Sequence, residues 1–103
     1  MPNWRGPVVQ RVRQAVVDGR VRLTHKALVE VAFLGLDRMD VLEILLGLVE
    51  SDASSRFRSE RGTGWMYVFH PVVGGETLYV KLKLKHGCVV ISFHEDEEDQ
   101  AAT

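Results

Sequence analysis

Three side chains able to exchange protons or hydrogen bonds at a reacting centre, His70, Tyr79 and His94, fall within alternating apolar and polar runs. Lys81 and Lys83 follow Tyr79 at steps of two, and Arg56 and Arg58 are spaced in the same way. Imidazole works near neutrality in either direction of proton transfer. Lysine and arginine stabilise developing negative charge, and an aromatic face such as Trp65 can stack on an unpaired base. This set suits cleavage of RNA by its own 2′-hydroxyl. That reaction needs a base for the hydroxyl, an acid for the departing 5′-oxygen and cations for the phosphorane charge. It assigns Tyr79, His94, His70 and Lys81 to the reacting centre, and Arg56, Arg58, Lys83 and Trp65 to holding the RNA. A solvated sheet face carries the same residue types, so the chemistry depends on what brings them together.

The stretch Thr77–Lys85 alternates strictly, as a half-buried strand does. Leu78, Val80, Leu82 and Leu84 point to one face, and Tyr79, Lys81, Lys83 and Lys85 to the other. With His86-Gly87 as a two-residue turn, Cys88–His94 returns as a partner strand. Lys85 then meets Cys88, Lys83 meets Val90, Lys81 meets Ser92 and Tyr79 meets His94. The core face pairs Leu84 with Val89, Leu82 with Ile91 and Val80 with Phe93. A slip of one residue would bury the lysines. A second hairpin turns at Gly74-Gly75, so that Val73 faces Glu76 and His70 meets Tyr79. Trp65, Tyr67 and Phe69 join the leucine face; Met66, Val68 and His70 join the lysine face. An odd loop at Arg61–Gly64 would send Phe57 inward and Arg56 and Arg58 out beside the lysines.

Upstream, the pattern changes to helical spacing. Helices are expected over 7–18, 25–33 and 38–48, with Thr24 and Asp37 as N-caps. The first ends at Gly19 and the second at Gly35. The third is apolar over much of its girth and is expected to pack centrally. Val21–Leu23 is a short strand or a connector. His25 and Lys26 read as an exposed pair. Helices followed by strands give an α+β domain, with N-terminal helices on a three- to four-stranded antiparallel sheet.

The chain's 103 residues make one domain with a modest core. Its acids outnumber its bases by 14 to 13, but five of those acids lie at 95–99, which leaves the body at +4. Residues 1–94 are expected to form the domain, and 95–103 a disordered acidic tail. The single cysteine, Cys88, excludes an internal disulfide framework and suits a reducing cytoplasm. No apolar run approaches the roughly 18 residues of a membrane span.

The ordered set Gly19–Arg22, Leu34–Asp37, Gly47–Asp52, Trp65, Pro71, Leu78–Lys81, His86 and Val90–Phe93 resembles the MqsR family of toxins over about residues 8–95. The resemblance implies a RelE-like fold and a metal-independent, sequence-selective mRNA endonuclease without a cofactor. It also implies a cognate antitoxin as partner. The family's active-site tyrosine corresponds to Tyr79. Its strand-end lysine falls on His94, its lysine after the Glu-Ser-Asp run on Ser55, and its glutamine after the tryptophan on Met66. Ser55 and Met66 carry neither a titrating group nor the family's side-chain type.

Three other readings compete. His70, His86, His94 and Cys88 could be gathered around zinc, although no paired ligand spacing supports this. A non-catalytic nucleic-acid- or protein-binding module would explain the basic face without proton transfer. A ribosome-dependent nuclease is a third.

Overall fold

A computed structural model describes residues 3–60, 62 and 64–96. Helix α1 (Arg5–Val17) buries Val8, Val9, Val12 and Ala15 along one stripe. It ends at Gly19, whose φ of 69° suits glycine. Strand β1 (Val21–Leu23) leads into helix α2 (His25–Phe33), where the Thr24 hydroxyl oxygen accepts from the Ala27 amide. Helix α3 (Arg38–Leu46) starts with a reciprocal cap between Asp37 and Asp40. It is one-sided: Val41 and Leu45 are buried, while Met39 and Leu46 are exposed. The expectation that it packs centrally is corrected here, because only one face is buried and its main partner is α1.

A short 3-10 turn (Glu50–Asp52) opens the β part: β2 (Ala53–Arg58), β3 (Trp65–Phe69), β4 (Val72–Val73), β5 (Glu76–Lys83) and β6 (Cys88–Glu95). Among the described residues the sheet has six strands, ordered β1-β6-β5-β3-β2, with β4 extending the pairing along β5. The α+β class holds, but the sheet is larger than the three or four strands expected, and it is mixed. The added members are the two-residue β4 and β1, which runs parallel to β6 and aligns Val21 with Cys88. A parallel partner so distant in sequence leaves no turn signature.

Leu78, Val80, Leu82, Phe93, Phe69 and Tyr67 pack with the buried stripes of the three helices into one core. Cys88 joins it, and burial pushes its thiol up to about 12, which makes it a packing residue rather than a nucleophile. The opposite sheet face carries the titratable side chains.

Three features of register differ from the sequence expectation. Beyond Ser92, β6 holds an extra residue at Ile91, so Leu82 meets Val90 and Lys83 meets Val89. Thr24 takes both carbonyls at this bulge: its amide donates to Val90 and its hydroxyl to Ile91. The turn after β5 is accordingly longer than His86-Gly87, since β5 stops at Lys83. Second, the loop between the paired Arg58 and Trp65 is even, which reverses the phase of β2. Phe57 lies on the titratable face, and Arg56 and Arg58 on the core-side face with Trp65 and Tyr67. Third, β6 continues through Glu95, which pairs with Leu78, so the strand passes the boundary at 94. Of the expected tail, residues 97–103 lie outside the described residues.

Candidate active site

The Gly74-Gly75 hairpin and the β5–β6 ladder align His70, Tyr79 and His94 on three neighbouring strand paths. Tyr79 is opposite His94, and Val72 opposite Thr77, as the sequence alternation requires. The phenol of Tyr79 and the imidazole of His94 stack with centroids 5.0 Å apart and planes 12° from parallel. His70 meets the other side of the cluster edge-on, its centroid 5.6 Å from that of Tyr79. The His94 Nδ1 lies 2.7 Å from the Glu95 carbonyl oxygen. A carbonyl can only accept, so Nδ1 carries the proton and, in the neutral ring, Nε2 holds the lone pair.

These rings line an open depression of about 580 Å³, together with Lys81, Ser92, Lys26, Ser55, Phe57, Val68 and Asp96. Asp96 and Lys26 are the charged members of this lining that lie outside the candidate set read from the sequence. Asp96 places a carboxylate oxygen 3.1 Å from His70 Nδ1, without hydrogen-bond geometry, and its amide donates to the Thr77 carbonyl. The step of two from His94 was the available signal for Asp96. Lys26 reaches in from the first turn of α2, its ammonium 3.0 Å from the Ser92 hydroxyl and 3.1 Å from Glu30. Nothing local could have placed Lys26, since α2 is carried to the β6 edge by the parallel β1.

Glu30 fixes that edge. Its Oε1 accepts from the Phe93 amide at 3.0 Å, a donor that would otherwise face outward beyond the short β1. Burial alone would raise the Glu30 carboxyl, but the Phe93 amide and the Lys26 ammonium outweigh it and hold it below its ordinary value.

The remaining sequence candidates divide. Lys81 sits in the depression, and Lys83 lies further along the same face beside Met66. Ser55 lines the depression, while Met66 is removed from it. Arg56, Arg58 and Trp65 form a separate ladder. The Arg56 guanidinium lies 4.3 Å from the Trp65 ring centre and 5.6 Å from that of Trp4, and Arg58 lies 4.4 Å from Trp65. The expected place of Arg56 and Arg58 beside the lysines is corrected by the even loop, while Trp65 keeps its expected face.

Over residues 8–95 the sequence matches the family model described as motility quorum-sensing regulator, toxin of MqsA. It is also 32% identical over 88 residues to the mRNA interferase toxin MqsR of Escherichia coli (strain K12), an alignment covering 84% of this chain and 90% of that protein.

Proposed function

This chain belongs to the MqsR toxin family, and we propose that it is the toxin of a toxin–antitoxin pair, an endoribonuclease that cuts mRNA in the cytoplasm. The observation that carries the reading is the His70–Tyr79–His94 cluster beside Lys81 and Lys26 in one open depression. It combines proton donors, a proton acceptor and cations at a surface broad enough for a polymer.

The proposed reaction is internal attack. Nε2 of His94 takes the proton from the 2′-hydroxyl, whose oxygen bonds to phosphorus. His70, held against Asp96, gives a proton to the 5′-oxygen as the P–O bond breaks. Tyr79 donates a hydrogen bond to a non-bridging phosphate oxygen, and Lys81 and Lys26 stabilise the charge that gathers there. The products are a 2′,3′-cyclic phosphate and a 5′-hydroxyl. Imidazoles and ammonium groups supply both proton transfers and charge stabilisation, so the scheme calls for no metal. Lys83 holds the strand along the same face. Arg56, Arg58 and Trp65 hold it beyond the scissile bond, round the β2 edge. The partner is an antitoxin of the MqsA kind.

The test is to incubate the purified chain with mRNA, map the new 5′ ends and identify the terminal groups by mass spectrometry. Expected are recurrent cut sites with cyclic phosphate and 5′-hydroxyl ends, unchanged by a chelator. Ends bearing a 5′-phosphate, or activity lost to the chelator, would overturn the mechanism.

A further inference from the structure

A second concavity adjoins the depression. It is a groove of about 550 Å³ between the outer face of α2 and the end of β6; Val29, Phe33 and Leu34 line it together with the carboxylates Glu30 and Glu95. Lys26 and His94 line both the groove and the depression, so the two are continuous. Phe33 is the last residue of α2 and is 91% exposed; Val29, one turn earlier on the same side, is 56% exposed. A lone exposed apolar residue is ordinary. Here, however, an uncovered phenyl ring and a valine share one wall of a groove whose other wall carries the proposed base.

Resting on the nuclease reading above, we propose that this groove is a subsite for the unpaired base of a nucleotide adjoining the scissile phosphate, with Phe33 as its stacking platform. The layout follows the chemistry of a nucleotide. Lys26, whose ammonium is paired with Glu30 at 3.1 Å, lines both groove and depression, and a phosphate linking the two would compete with that carboxylate for it. The apolar wall lies beyond it, where a flat base would leave water. Aromatic side chains stack on any base, and one such contact changes binding by roughly 10- to 100-fold. Attack by the 2′-hydroxyl requires the scissile nucleotide to be turned out of helical stacking, and a seat for its neighbour would hold that geometry.

The experiment uses the full chain and an oligonucleotide spanning a mapped cut site, with single abasic riboses placed on either side of the scissile bond. For the wild type, one abasic position should lower kcat/KM by roughly 10- to 100-fold. Phe33→Ala should lose a similar factor on intact RNA and lose little more on that abasic RNA, while Phe33→Trp should restore cleavage. A melting curve like the wild type's establishes that the exposed substitution leaves the fold intact. The same comparisons by affinity, with a 2′-O-methyl group at the scissile nucleotide to prevent attack, read the groove independently of turnover. Intact-RNA cleavage and binding unchanged in Phe33→Ala, or losses that multiply with the abasic site, would overturn the subsite. So would Phe33→Ala that cleaves normally but escapes the antitoxin, since the groove would then seat a protein. A base effect on affinity that Phe33→Ala abolishes, with wild-type cleavage that leaves 5′-phosphate ends, would instead uphold the subsite and count against the nuclease mechanism.

Discussion

The imidazole of His94 lies flat on the phenol of Tyr79, 5.0 Å between centroids, because the two residues are direct cross-strand partners on β5 and β6. The stack holds a proton acceptor and a hydroxyl donor in fixed relation near the end of the β5–β6 ladder. Tyr79→Phe keeps the ring contact and removes only the hydroxyl; His94→Ala removes the base. Cleavage by His94→Ala should fall by roughly 10²–10⁴-fold, and growth arrest on overproduction should disappear. Tyr79→Phe should lose rate while retaining RNA affinity. Full toxicity in His94→Ala would take that residue out of the reaction.

In the proposed reaction Asp96 acts through His70, 3.1 Å away. Asp96→Asn keeps the shape and removes the charge, so it should lower kcat with KM nearly unchanged, and by less than His70→Ala does. Activity equal to the wild type's in Asp96→Asn would show that the carboxylate does not support His70. A rise in RNA affinity with faster turnover would mark Asp96 instead as an obstacle to phosphate.

The two basic groups should separate in their salt dependence. Lys81→Ala should weaken RNA binding and lower the magnitude of its log–log salt slope by about 1, with a loss of kcat. Arg56→Ala should weaken binding without changing kcat. Its guanidinium sits between Trp4 and Trp65, so this variant should also lose about 1 kcal/mol of stability from cation–π contact. A kcat defect in Arg56→Ala at saturating RNA would place that side chain at the cleavage centre.

Glu30 gives a pH-dependent contribution to stability. Its folded carboxyl lies below the ordinary 4.5, so the contribution is present above that value and fades as pH falls through the lower folded one. Glu30→Gln keeps an acceptor for the Phe93 amide but loses the charge. It should cost no more than about 1 kcal/mol at pH 7, and its melting temperature should converge with the wild type's in acid. Parallel curves across the whole range would contradict the linkage.

Gly87 is where β6 meets the chain leading into β1. Its φ is 116°, and a Cβ there would collide with the Arg20 carbonyl, which accepts from the Cys88 amide. Gly87→Ala should cost more than about 2 kcal/mol. Gly74→Ala, at φ 59° in open space, should cost less. Equal melting temperatures for the two variants would show that the β1–β6 junction yields easily.

By itself the sequence determined the helices, the apolar row of β5 and the alignment of His70, Tyr79 and His94. Each rests on a local rule: the Thr24 and Asp37 caps, the period of two along β5, and a Gly74-Gly75 turn too short to permit another register. Tertiary structure alone decided the remainder. An alternating pattern carries face assignment only until a loop changes parity or a bulge adds a residue. That is why Phe57 and Arg56 exchanged faces after the Arg58–Trp65 loop, and why Val90 turned to the core below Ile91. Lys26 entered the site because β1 pairs in parallel with β6, a contact between segments far apart in sequence that brings α2 to the sheet edge. Asp96 was in register from the start, but only the continuation of β6 past His94 brings its carboxylate to His70.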